Sequence, residues 1–99
     1  MPDMEDVPQH ARQPLEHLKD VHDRLTVTGY GTLSYSEKEE LRQAIEAALP
    51  ADSARSVMRS HYESRVVKRR DGIRIAQVAL QTAYAVATAD SRNTVEYER

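Results

Sequence analysis

Apolar residues recur at steps of three and four along most of this chain, the spacing that places them on one face of an α-helix. These stripes predict four helices, at 14–25, 37–49, 53–70 and 73–89. Pro14 is expected to open the first helix, because its missing N–H would be unpaired there in any case. The pattern therefore predicts a mainly α fold of about four helices.

The connection at 26–35 has a different character. Its Thr, Val and Tyr residues favour extended backbone, and Val27, Leu33 and Tyr35 are spaced for one face of a strand pair around two glycines. We therefore expect this segment to form either a small β-hairpin or an ordered loop.

Local signals predict where the second and third helices begin and end. Ser36 followed by Glu39 matches a capping box, in which each side chain accepts a hydrogen bond from the other residue's backbone N–H. Pro50 ends the second helix. Gly72 suits the C-terminus of the third helix. Alternatively, the third and fourth helices form one long rod that is kinked at this glycine.

The two ends of the chain are polar. Residues 1–13 contain two prolines and no apolar run, and we expect a flexible N-terminal arm there. Residues 91–99 are predicted to form a flexible C-terminal tail. Residues 14–90 then make up a single helical domain.

The segment 73–89 is apolar around most of its circumference. One face carries Ile73, Leu80 and Tyr84 with three alanines, and the opposite face is almost as apolar. Such a helix must be covered on both sides. It is either a central helix surrounded by the other three, or a helix whose second face meets a second molecule. The second hypothesis assigns a homodimer or partner interface to Ile75, Val78, Ala79, Thr82 and Val86.

Charge is divided unevenly along the chain. Residues 1–50 carry five Lys and Arg against ten Asp and Glu, whereas residues 51–99 carry nine against six, within a net charge of −2. The two halves can attract each other, a second copy or an outside partner. On one helix over 53–70, four arginines and a tyrosine share or border an arc of about 100°. This arc is the predicted site for an anionic partner: Arg55, Arg59, Tyr62, Arg69 and Arg70.

Arg65 falls instead on the apolar side of the same predicted helix, with Ala54 and Met58. A buried guanidinium requires a carboxylate partner. We therefore expect an acid of the first half, or of a partner, to contact Arg65.

Composition narrows the classes of function. The 99 residues include no Cys, Phe or Trp, which excludes disulfides, thiol chemistry and Cys-ligated zinc. No stretch approaches the ~18–20 apolar residues of a membrane span, and the N-terminus lacks the pattern of a signal peptide. We expect a cytoplasmic protein with no membrane partner.

No arrangement of residues predicts catalysis. The glycines form neither a P-loop nor a dinucleotide fingerprint, and there is no nucleophile elbow. His17 and His22 share a helix with carboxylates, but residues five apart point about 140° away from each other and make no metal site. We predict a protein without enzymatic activity, cofactor or metal.

The interpretation that best fits these patterns is a non-catalytic helical interaction protein. It would be a small regulator that binds another protein and homodimerises through the helix at 73–89. One alternative is a nucleic-acid-binding protein that uses the basic helix at 55–70, although the negative net charge disfavours it. Another is a structural subunit of a larger assembly.

Overall fold

The computed structural model describes residues 7–27, 30–59 and 66–97, with the backbone alone for 90–97. Within that part of the chain there are four α-helices and one isolated β-bridge. The helices are α1 (Gln9–Val27), α2 (Tyr35–Ala48), α3 (Ala51–Val57) and α4 (Arg69–Tyr97). The prediction of a mainly α fold with about four helices is confirmed.

The three long helices pack against one another, and the short α3 packs on α2 and α4. Arg24 near the end of α1 pairs with Glu40 of α2, whereas His10 at the start of α1 lines the same cavity as Ala48 at the end of α2. Helices α1 and α2 therefore run antiparallel. Ala87, well along α4, lines that cavity too, so α4 runs antiparallel to α1 and parallel to α2.

The core consists of aliphatic side chains on one stripe of each long helix. Leu18, Leu41 and Ile45 are completely buried, and removing a side chain of this size from water contributes roughly 1.5–3 kcal/mol. Helix α4 buries one half of its circumference against them, mostly with small residues. Its buried alanines are Ala76, Ala79, Ala83 and Ala87.

Helix α1 begins at Gln9, earlier than the predicted start at Pro14, and the proline lies inside it. The early start follows from Val7, whose side chain is buried in the core. The Arg12 Nε donates to the Val7 carbonyl oxygen at 3.0 Å, which ties the first turn to this buried residue. Residues 9–13, assigned by the sequence to a flexible arm, are therefore helical, and residues 1–6 lie outside the described residues.

The segment predicted as a hairpin or loop pairs with a distant part of the chain. Thr32 forms an antiparallel bridge with Lys68, so within the described residues the extended backbone finds no partner inside 26–35. Leu33 is buried, whereas Val27 and Tyr35 are exposed. The predicted common face of these three residues is therefore wrong, because Val27 and Tyr35 belong to α1 and α2.

The capping box of α2 is formed by Ser34 and Glu37, and the prediction of Ser36 with Glu39 is wrong. The Glu37 N–H donates to Ser34 Oγ at 3.1 Å, and the Ser34 N–H donates to Glu37 Oε1 at 3.0 Å. Both serines are followed by Glu three residues later, so the local signature fits either. The earlier start brings Glu37 to Arg69.

The prediction of one helix over 53–70 is wrong at residues 66–68. Helix α3 ends at Val57 with Met58 as its C-cap, and residues 60–65 lie outside the described part of the chain. Residues 66–68 are not helical, because this stretch forms the bridge to Thr32. Helix α4 then starts at Arg69 and continues to Tyr97, past its predicted end at 89 and into the predicted tail.

Gly72 lies in the first turns of α4, so it neither ends a helix nor marks a kink between two. A Cβ atom at this position would lie 2.6 Å from Leu33 Cδ1. The glycine therefore lets the buried Leu33 side chain approach the helix closely.

Candidate functional site

A groove lies where the loop after α1 meets the start of α4. Its volume is about 470 Å³, within the range of clefts that bind ligands. The residues lining it come from the loop and from the first turns of α4: Tyr30, Gly31, Thr32, Lys68, Arg69, Arg70 and Ile73.

Two backbone hydrogen bonds on either side of the bridge hold the loop to the segment before α4. The Leu33 N–H donates to the Val67 carbonyl oxygen at 2.8 Å, and the Arg69 N–H donates to the Gly31 carbonyl oxygen at 2.8 Å. Gly31 has a φ of 98°, a left-handed conformation that glycine adopts without a steric cost. The turn into the groove is therefore fixed by backbone geometry.

The pleat of this short ribbon decides which side chains face outward. Successive residues of an extended segment point to opposite sides. Leu33, Val67 and Arg69 are buried, whereas Thr32 and Lys68, the bridged pair, are exposed. One face of the ribbon therefore places polar and aromatic side chains in the groove, and the other face packs in the core.

Arg69 lies at the base of the groove, and its side chain is only 6% exposed. Its Nη1 donates to Glu37 Oε2 at 2.6 Å, and its Nη2 donates to Glu37 Oε1 at 3.1 Å. These hydrogen bonds, with the one from the Ser34 amide, lower the pKa of Glu37 from an ordinary 4.5 to about 2. The carboxylate raises the pKa of Arg69 in turn.

This pair joins a buried arginine to a carboxylate from the first half of the chain, the arrangement that was expected for Arg65. The arginine concerned is Arg69. Arg65 lies outside the described residues, so the expectation for it stays a prediction. Bidentate pairing between Arg and a carboxylate is directional. It fixes the start of α4 relative to the start of α2.

The wall of the groove carries cations that have no partner among the described residues. Lys68 and Arg70 are exposed and form no ion pair with the residues that the structure describes. Tyr30 is fully exposed beside them. An aromatic ring next to unpaired cations is a combination that binds anionic groups.

The described residues of the predicted anionic-partner site lie in different surroundings. Arg55 is exposed on α3 and lines a separate depression with Glu46, and Arg59 is exposed just after α3. Tyr62 lies outside the described residues. Arg69 is buried and paired, which leaves Arg70 as the predicted member that is exposed at the groove.

Sequence reasoning missed Tyr30 and Lys68. Their proximity depends on the bridge between Thr32 and Lys68, which joins residues far apart in the chain. The pair of β-branched residues at 66 and 67 was a signal for extended backbone. It was outweighed by the helical pattern assumed over 53–70.

The predicted partner or dimer interface on α4 is divided by the fold. Ile75 and Ala79 are buried in the core, whereas Val78 is 44% exposed. Thr82 and Val86 are half-buried, and the Thr82 hydroxyl donates to the Val78 carbonyl oxygen at 2.9 Å. The hypothesis of a helix covered by its neighbours accounts for the buried half of α4.

In the described part of the chain, no three His, Asp or Glu side chains gather as metal ligands. None of the helices described combines the length and apolar character that a membrane span requires. Comparison with known proteins finds no match to this sequence among family models, curated proteins or solved structures.

Proposed function

We propose that this chain is a non-catalytic interaction protein, a small cytoplasmic regulator that binds another protein at the groove. The observation that carries the proposal is the exposed Tyr30 beside Lys68 and Arg70, on a base held by Arg69 and Glu37. Tyr and Arg supply much of the binding energy at protein interfaces. A cytoplasmic setting fits the absence of Cys.

The anchoring of the groove favours binding because little has to be ordered when a partner arrives. Backbone hydrogen bonds hold Gly31 and Leu33, and the ion pair holds Arg69. Preorganised surfaces lose less conformational entropy on association than mobile loops do. An exposed aromatic side chain on such a base supplies contact area at low entropic cost.

Site-specific photo-crosslinking tests this proposal. A photoreactive amino acid replaces Tyr30 in one protein and the exposed Gln9 in a control. Gln9 was chosen because it lies far from the groove. Its neighbour His10 lines a cavity with Ala87, and Ala87 lies about 21 Å along α4 from Ile73 in the groove. In extract of the native cell, we expect protein adducts from position 30 that the control lacks.

The same experiment distinguishes the competing functions. Adducts that nuclease removes would identify nucleic acid as the partner and overturn the proposal. Equal labelling from both positions would also contradict it, because the groove would then have no special role. A single protein recovered in fixed stoichiometry would indicate a structural subunit instead of a regulator.

A second proposal is that two copies associate through the exposed strip of α4, where Val78 is a large apolar side chain in contact with solvent. Among the side chains of α4 that the structure describes, the other exposed apolar ones are small, Ala85 and Ala89. Stable interfaces bury about 1,200–2,000 Å², so we expect association only at high protein concentration. Light scattering should give a mass near 11.3 kDa in dilute solution, and Val78→Arg should remove any rise on concentration.

A further inference from the structure

We propose that the groove binds an extended acidic segment of a partner protein. In this arrangement an apolar side chain of the segment lies against Tyr30 and Ile73, and flanking carboxylates pair with Lys68 and Arg70. The site presupposes the protein-binding function proposed above and adds the chemistry of the partner.

The charge of the groove selects an anionic occupant. Lys68 and Arg70 are exposed and form no ion pair with any residue that the structure describes. Glu37 is already paired with Arg69, and the described residues that line the groove include Lys68 and Arg70 but no acid, although Asp71 follows Arg70 in the chain. The first turn of α4 adds the positive end of a helix dipole. An acidic segment therefore meets an excess of positive charge.

An apolar contact adds to the charge. Tyr30 exposes its whole ring, and Ile73 is half-buried in the lining of the same groove. A segment made only of acids would leave these two side chains in contact with water. A segment with one apolar or aromatic side chain between carboxylates would contact both kinds of group, since Lys68 and Arg70 line the same groove as Tyr30 and Ile73.

Other anionic occupants fit less well. In a second copy, the acids of α1 stand on a rigid helix, where Asp20 already pairs with Arg24 and Asp23 contacts His22. Nucleic acid has a high density of negative charge, and the ten acids in the first half of the chain repel it. A short extended segment of a different protein carries fewer negative charges than nucleic acid, so these acids repel it less, and its carboxylates are not fixed on a helix.

A peptide titration tests the site. The probe is a short peptide with one central Trp between glutamates, and its partner probe has every Glu replaced by Gln. Because the protein contains no Trp, the emission of the peptide reports whether its indole leaves water. We expect a blue shift and a Kd in the range of about 10–100 μM at low salt, with the Gln peptide at least about tenfold weaker.

Paired charge reversals provide a matched control. Lys68→Glu with Arg70→Glu should weaken binding of the acidic peptide by about tenfold or more. Arg55→Glu with Arg59→Glu makes the same change in net charge at exposed positions outside the groove, and should leave the affinity within about twofold. Tyr30→Ala should remove the blue shift. All substituted side chains are exposed, and circular dichroism verifies that each variant is folded.

Each outcome of these binding experiments supports or contradicts an acidic occupant of the groove. Equal binding of the Glu and Gln peptides, or equal loss from both pairs of reversals, would overturn an acidic occupant. Tighter binding of a single-stranded oligonucleotide would assign the groove to nucleic acid, and dimers that only the Lys68 and Arg70 reversals disrupt would assign it to a second copy. If position 30 crosslinks to a protein while acidic peptides fail, the protein-binding function stands and only the partner's chemistry is wrong.

Discussion

The two ends of the buried stretch of α4 are held by different chemistry. At the start, Arg69 makes directional hydrogen bonds to Gly31 through its backbone and to Glu37 through its side chain. Near Ala83 and Ala87 the helix packs through small apolar surfaces, and a cavity of about 190 Å³ remains between α1, α2 and α4. Directional contacts hold one geometry, whereas apolar packing tolerates imperfect filling. The polar end is therefore the one suited to keep a recognition surface in fixed shape.

The largest expected effect on stability comes from the apolar packing of the core. Leu18→Ala removes a completely buried side chain and should lower the free energy of unfolding by about 2–5 kcal/mol. Urea denaturation measures it, with Lys19→Ala on the exposed side of the same helix as control. A loss no larger than that of the control would mean that α1 contributes little to the core.

The polar end should contribute less to stability and more to geometry. Glu37→Gln leaves the buried guanidinium of Arg69 without a carboxylate, and should lower Tm by roughly 5–10 °C. Glu40→Gln, which weakens an exposed pair with Arg24, is the matched control and should change Tm by roughly 2 °C at most. Binding of the acidic peptide should fall in the first variant alone.

Acid should weaken the polar end selectively. The pKa of Glu37 is lowered from 4.5 to about 2 in the folded protein. The stabilisation is therefore complete above the unfolded pKa and is lost as the pH falls from about 4.5 towards 2. The difference in Tm between the wild type and Glu37→Gln should shrink by more than about half between pH 6 and pH 3. A difference independent of pH would show that the ion pair does not stabilise the fold.

The smallest effect concerns the fit between the loop and α4. Gly72→Ala gains up to about 1 kcal/mol of helix propensity, but its Cβ would collide with Leu33 Cδ1. We expect a net loss of about 1 kcal/mol. In a Leu33→Ala background the same substitution should stabilise the protein, because the collision is gone. Equal effects in both backgrounds would contradict the close approach.

Local sequence patterns were sufficient to predict α1 and α2, because the residues of each helix that face the core lie close together in the chain. The stripes through Leu18 and Leu41 predicted the buried faces of α1 and α2, because a helical repeat is a property of consecutive residues. The same reasoning failed at residues 66–68. Their helical pattern competed with the backbone hydrogen bonds to the loop at 31–33, which no local pattern contains.

The candidate site was predictable only in part. Arg69 and Arg70 were singled out as cations for an anionic partner, yet the buried one binds Glu37 and the exposed one lines the groove with Tyr30 and Lys68. The helical projection assigned both arginines to one surface. In the structure the two side chains point to opposite sides: the ribbon turns Arg69 towards the core, and the first turn of α4 turns Arg70 towards solvent.

The sequence by itself determined that this protein is helical, because amphipathic periodicity and capping signals act over a few residues. Only the tertiary structure decided between Ser34 and Ser36 as the cap of α2. Each serine stands three residues before a glutamate, and the glutamate of the earlier cap, Glu37, also contacts Arg69 across 32 positions of the chain. A contact over that separation depends on how the helices pack, and this packing creates the groove.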